Sequence, residues 1–314
     1  MSNAIVAVIV TCDDRDRRPE LPAPDHRNAN DDNLPLAIGA ILFTVFALSL
    51  GDALIKFASG DFPIWQIFVL RSLIVLPTLL GYLAWRRRSV GLSAQAIGWV
   101  ALRSLMLVAM WLFFYIALPH LDLSVAAATY YTIPIFLTIF SALLLRERVS
   151  ALGWAAVAIG FAGMLLILRP DADALNLYAL SPLLAAILYA LAMILTRSKC
   201  RDVDPVALSI ALNIAFILIG GAATAGIAAL GLARADGFLT APWSPMGGAE
   251  WLAMALLAAA ILIGSVGAAI AYQNGSPAMI GVFDFAYVGF AVIWGLLFFA
   301  ETPDAYALLG IALI

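Results

Sequence analysis

Residues Phe298 to Ile314 read FFAETPDAYALLGIALI. A glutamate closes a long apolar run, and the next apolar run stops at Ile314. The same phrase stands earlier, as LLLRERVSALGWAAVAIGFAGMLLIL from Leu143 to Leu168. There the second run approaches the ~20 residues a helix needs to cross hydrocarbon. Aligning Glu147 with Glu301 puts Ala156 and Gly310 at one position of the following helix, and the first copy continues to Gly160 and Gly163. The phrase reads as the junction of the last two helices in each of two repeats. The final helix is expected to be cut short in this chain.

Composition sets the surroundings. The 314 residues are 64% hydrophobic and 12% charged, with a mean hydropathy of +1.01. Soluble domains average roughly 45–50% apolar and about 25% charged. So apolar a chain belongs in a lipid bilayer. Its net charge of −3 suggests no nucleic-acid partner. Cys12 and Cys200 are too few for a disulfide framework. With His26 and His120 the only histidines, no metal centre or other cofactor is expected. Residues 1–33, with DDRDRRPELPAPDHRNANDDN, are charged and aperiodic and read as a disordered cytoplasmic tail.

Span-length apolar segments follow near 36–58, 64–85, 95–118, 124–145, 152–169, 177–196, 206–231, 251–272 and 278–299, with a tenth beginning near Tyr306. Arg86, Arg87 and Arg88 follow the second span, Arg146 and Arg148 the fourth, and Arg197, Lys199 and Arg201 the sixth. The opposite loops carry only Arg169 and Arg234, with Lys56 at a helix end. Basic loops stay cytoplasmic, so the N-terminus is placed inside. Five spans per repeat is an odd number, so the second repeat enters the membrane from the opposite side. The fold expected is an all-α membrane protein, a ten-helix bundle of two inverted five-helix repeats, residues 34–172 and 173–314. Such a plan places a solute site between the halves near the midplane.

The order and duplication of these segments resemble the EamA-type members of the drug/metabolite transporter superfamily. The resemblance rests on LPHLDLSVAAATYYTIPIFLTIFSALLLRERVSALGWAAVAIGFAGMLLIL and its second copy, SPAMIGVFDFAYVGFAVIWGLLFFAETPDAYALLGIALI. LGDALIKFASGDFPIWQIFVLRSLIV is similar to that family's first helix pair. The resemblance implies ten helices and transport of small organic solutes, frequently amino acids and related metabolites, often exported.

Ionisable groups inside a membrane usually face a cavity or a partner. Asp52 and Lys56 are four apart in the first span and so share a face. Arg71 lies in the second span, either completing that cluster or contacting an anionic solute. Arg103 in the third span and Asp284 in the ninth lie at similar depth, which allows them to meet as a pair. Asp284 sits in FDFAY beside Phe283, Phe285 and Tyr287, surroundings that make it a candidate proton carrier. It lies as far before Glu301 as Tyr130 lies before Glu147, 17 residues in each case. Asp284 and Tyr130 are therefore pseudo-symmetric partners. Trp111 and Tyr115 share one face of the third span. Trp111 and Trp294 lie deep enough to stack on a solute; Trp65, Trp85, Trp99, Trp243 and Trp251 sit near span ends and read as interfacial anchors.

These residues favour a secondary transporter of a small metabolite, amino-acid-like with export favoured, with proton coupling through Asp284 or Asp52. The alternatives are uptake of a nucleoside- or vitamin-like solute, or an enzyme acting on a lipid-linked substrate. An enzyme requires acids, histidines or metal ligands gathered at one interface. His120 is isolated, and Glu147 and Glu301 fall on opposite sides of the membrane.

Overall fold

A computed structural model of the chain describes residues 32–58, 63–86, 92–117, 120, 129–168, 178, 180–234, 239–299 and 304–313. Its helices are α1 (Leu34–Ala58), α2 (Ile64–Trp85), α3 (Ala94–Ala117), α4 (Ile133–Leu144), α5 (Ala151–Leu168), α6 (Leu180–Lys199), α7 (Pro205–Ala229), α8 (Gly248–Asn274), α9 (Pro277–Asp284), α10 (Ala286–Phe299) and α11 (Ala305–Leu313). Helices α9 and α10 run on as one span, so the described residues hold ten helical segments, seven of them long and apolar enough to cross a membrane. The backbone has no alternative: in hydrocarbon every N–H and C=O must be satisfied within its own segment. The tail, residues 1–31, lies outside the described residues.

Side-chain caps start four of the helices. Asn33 accepts from the Leu36 N–H at 3.2 Å, Ser93 from Ala96 at 3.2 Å, Ser150 from Gly153 at 3.1 Å and Asp204 from Val206 at 2.8 Å. Each satisfies one of the N–H groups that a helix start leaves over. Outside the bundle the apolar side chains remain exposed: Phe43, Leu143, Leu152, Leu218 and Leu297 are each more than half accessible. In water such a surface would drive aggregation; against lipid it is the matching solvent.

The largest helix contacts follow a two-fold exchange. Helix α1 lies against α8, and α6 against α3; α1 also meets α9 and α10, as α6 meets α4. Likewise α3 meets α7 and α8 meets α2, while α2·α7, α4·α9 and α5·α11 are contacts between equivalents. Swapping each helix with its counterpart in the other repeat returns these same pairs. The exchange pairs each helix of residues 34–168 with a counterpart in residues 180–313.

Small residues set how closely the helices approach. A Cβ on Gly51 would come within 2.6 Å of Ala260 Cβ, and one on Gly264 within 2.8 Å of Leu48 Cδ2, so α1 and α8 cross closely. The Gly160, Gly163 and Gly310 positions of the repeated phrase perform a similar task. A Cβ on Gly310 would sit 2.5 Å from the Gly163 carbonyl oxygen, where α11 crosses α5.

Polar clasps close the ends. At the end opposite the basic loops, the Gln66 amide both donates to Ser244 O at 2.9 Å and accepts from Ser244 N–H at 2.8 Å. Trp65 Nε1 donates to Leu239 O at 2.8 Å. Trp65 is only 9% exposed, a correction to its reading as an interfacial anchor: it holds the α7–α8 connection inside the bundle. Gln66→Leu keeps the side chain's bulk and leaves two backbone groups of Ser244 unpaired, each costing about 1–3 kcal/mol if no water reaches it. A lowered melting temperature is the expected result; unchanged melting would show that the clasp contributes nothing.

Candidate functional site

The fourth and ninth spans are both interrupted, and at equivalent places. In the fourth, residues 129–130 are helical, the chain turns at 131–132, and α4 begins at Ile133. Pro134 explains the turn, because it has no N–H for the Tyr130 carbonyl and its ring crowds that carbonyl. In the ninth, α9 ends at Asp284 and α10 begins at Ala286. No proline stands there; instead the Val288 N–H turns to Phe285 O at 3.0 Å, and the Phe285 N–H to Val282 O at 3.4 Å. The first repeat makes the same pair of tightened turns one residue off the glutamate alignment, Ile135 N–H to Thr132 O at 3.0 Å and Thr132 N–H to Thr129 O at 3.4 Å. Phe285, fully buried, wedges against α5, where a Cβ on Gly160 would meet its ring at 2.6 Å. Tyr130 and Asp284 thus stand at the breaks of two spans.

Asp284 is buried, 8% exposed, and its Oδ2 accepts a 2.6 Å hydrogen bond from the Tyr272 hydroxyl of α8. Tyr272 packs edge-on to Tyr189 of α6, ring centroids 6.3 Å apart. The carboxylate of α9, its phenol donor on α8 and the ring of Tyr189 on α6 thus form one polar and aromatic cluster.

Arg103, 1% exposed on α3, donates from Nε to Thr196 Oγ1 at 2.6 Å. Thr196 in turn donates to Ala192 O at 2.8 Å. Asp284 and Arg103 do not form the direct pair that equal depth allowed: among the described residues no ion pair joins them, and each has its own partner, Tyr272 for Asp284 and Thr196 for Arg103. Arg71, fully buried, is wrapped by aromatic rings, its Cζ 4.4 Å from the Phe216 centroid, 5.1 Å from Phe68 and 5.5 Å from Trp111. Such cation–π contacts are attractive, most strongly where water is absent.

Trp111 and Tyr115 stack at 5.5 Å, as their spacing predicts. From them the rings continue through Phe114 to Tyr130 at 4.9 Å, Tyr131 at 5.9 Å and Tyr287 at 5.5 Å. Tyr130 donates its hydroxyl to Met110 Sδ at 3.3 Å. This aromatic path runs from the Arg71 surround to the two helix breaks. Trp294 is set apart from it: its Nε1 donates to Ser49 Oγ at 3.0 Å and its ring packs on Phe46 of α1. Asp52 and Lys56 lie on α1, but their side chains fall outside the described residues. At the basic end, Ser276 Oγ donates to Glu147 Oε2 at 2.5 Å, and Arg197 Nη1 donates to Gln273 O at 2.9 Å. Glu301 is outside the described residues.

A helical bundle with broken central spans and buried ionisable groups at the breaks is an arrangement found among membrane carriers. Comparisons with known proteins agree. Residues 35–169 match the EamA-like transporter family. Over 270 residues the chain is 29% identical to a pseudopaline exporter of Pseudomonas aeruginosa, covering 86% of this chain and 89% of that one. It is 33% identical over 190 residues to a riboflavin transporter of Rhizobium johnstonii, covering 60% and 58% of the two chains. With a riboflavin transporter of Vibrio cholerae it shares 27% identity over 274 residues, 85% of this chain and 86% of that one. A solved crystal structure shares the fold, with a TM-score of 0.72 at 18% identity over 88% of this chain and 93% of the other. The chain is thus similar to EamA-type transporters of the drug/metabolite transporter superfamily. It is a multi-pass membrane protein that carries small metabolites.

Proposed function

We propose that this chain is a secondary carrier of the cytoplasmic membrane that exports a small, amino-acid-like metabolite by alternating access. Its two repeats, residues 34–172 and 173–314, would rock about the contact between α4 and α9. The observation that carries this reading is the pair of matched helix breaks at Tyr130–Thr132 and Asp284–Phe285. A broken span places backbone carbonyls and a half-helix end at a solute site without exposing them to lipid. Asp284 with Tyr272 and Tyr189, Arg103, Tyr130, Tyr287 and the Trp111–Tyr115 stack would line the pathway, with Arg71 at its outer part. Asp284 would exchange protons with the solute. The nearly full-length likeness to an exporter supports the direction. Uptake of a flavin-like ring compound is the second reading, favoured by the aromatic path and by the likeness to riboflavin transporters.

The test is a solute screen in proteoliposomes under proton gradients imposed in either direction. One class of solute is expected to move faster than in protein-free vesicles, and the gradient that drives it gives the direction. A folded protein that moves no solute under either gradient would sink the carrier reading. Orientation has its own check. In a background lacking Cys12 and Cys200, cysteines placed at Ser89 and Asp61 are expected to label from opposite faces of the membrane, Ser89 on the side of the N-terminal tail. Labelling of both from one face would refute the topology.

A further inference from the structure

We infer that Arg103 is an anion subsite within this pathway, recognising a carboxylate of the carried solute; this rests on the carrier reading above and names its substrate class.

The guanidinium is buried to 1% exposure in the membrane interior. Its Nε is fixed by a neutral hydroxyl, Thr196 Oγ1 at 2.6 Å, and Thr196 is itself held by a bond to the backbone of its own helix. Among the described residues Arg103 has no carboxylate partner, and its Nη1 has no hydrogen-bond partner. The nearby carboxylate is already engaged: Asp284 Oδ2 takes the Tyr272 proton at 2.6 Å. A cation withdrawn from water and left uncompensated is strongly unfavourable. Packing alone does not require it, since Leu or Met would fill the same space between α3 and α6.

What the arrangement does provide is an oriented fork. One nitrogen is anchored so that the plane is fixed, and a second nitrogen still offers a proton. An arginine fork matches a carboxylate better than it matches a neutral amide, because the bond is charge-assisted and can be bidentate. Arg103 is bonded to Thr196 of α6, and Tyr189 of that same helix packs edge-on to Tyr272, the donor to Asp284. A zwitterionic solute would then have its carboxylate at Arg103 and its ammonium group toward Asp284, with its apolar part on the aromatic path.

The test compares two probes of nearly equal shape, indole-3-propionate and indole-3-propionamide, with inorganic phosphate as a third. Binding is read on the purified full chain from tryptophan fluorescence and from thermal stabilisation. The carboxylate is expected to bind more tightly than the amide by a factor on the order of ten or more. Arg103→Gln should erase that preference, and Arg103→Lys should keep part of it. A second measurement needs no variant: the carboxylate, but not the amide, should protect Arg103 of the unsubstituted protein from phenylglyoxal, read by mass spectrometry. Equal binding of acid and amide, protection by both or neither, or phosphate binding as tightly as the carboxylate would each overturn the assignment. The two readings fail separately. If solutes move in proteoliposomes at a rate indifferent to Arg103→Gln, the carrier stands and the anion subsite falls. If the carboxylate preference holds while no solute moves, the subsite stands and the carrier reading falls.

Discussion

Asp284→Asn is expected to leave the protein folded and to remove most of its transport. The substitution keeps the side chain's shape, so Tyr272 can still donate to the remaining oxygen. What changes is the charge of the acceptor. A hydrogen bond to a charged group contributes about 1.5–3 kcal/mol and a neutral one about 0.5–1.5, so the loss of stability should be small. Transport should fall by roughly 10- to 100-fold if the carboxylate meets solute or proton, the kinetic equivalent of losing one charge-assisted bond. The pH dependence of transport should flatten with it. Since no ion pair joins Asp284 to Arg103, adding Arg103→Gln should not rescue a destabilised Asn variant. Transport and melting are measured on the same preparation. A stable Asn variant with normal rate and unchanged pH profile would remove Asp284 from the mechanism, and a misfolded one would assign the carboxylate to structure.

Gly310→Ala should destabilise the protein, whereas Gly221→Ala should not. At Gly310 the added methyl would lie 2.5 Å from the Gly163 carbonyl oxygen and 2.6 Å from Ile167 Cγ1. A backbone oxygen cannot rotate away as a side chain can, so α11 must separate from α5. Overpacking of this kind costs about 1–3 kcal/mol. At Gly221, within α7, a Cβ meets nothing within 4 Å. There the gain in helix propensity should stabilise by up to about 1 kcal/mol. Opposite shifts in melting temperature are expected. A Gly310→Ala protein as stable as the Gly221→Ala one would show that the crossing is looser than described.

The sequence carries the architecture further than the site. The helical bundle and the boundaries of most of its helices follow from hydropathy and punctuation, properties local to the chain. The correspondence of Tyr130 with Asp284 follows from counting back from two glutamates, and both residues do lie at a helix break. The break itself is legible only in the first repeat, where Pro134 marks it. Phe285 carries no such signal: what holds it is the fit of its ring against Gly160 on another helix. Tyr272 and Tyr189 were equally hidden, one in a run of alanines and the other in LYALA, because their importance lies in meeting across α6, α8 and α9. For the same reason equal depth suggested that Arg103 would meet Asp284, whereas Arg103 bonds to Thr196 and Asp284 to Tyr272.

The two-fold exchange of helix contacts bears on energetics as well as form. If the repeats were identical, the form open to one face of the membrane and the form open to the other would be related by rotation, and their energies would be equal. Any resting preference must therefore originate at positions where the repeats disagree. Asp284, aligned with Tyr130 by the paired glutamates, is such a disagreement, with an ionisable acid in one repeat and a phenol in the other. On the carrier reading proposed above, protonation of Asp284 would act on one repeat only and tilt the balance toward one face. Exchanging the two residues, Asp284→Tyr with Tyr130→Asp, would hand control of that tilt to the opposite compartment.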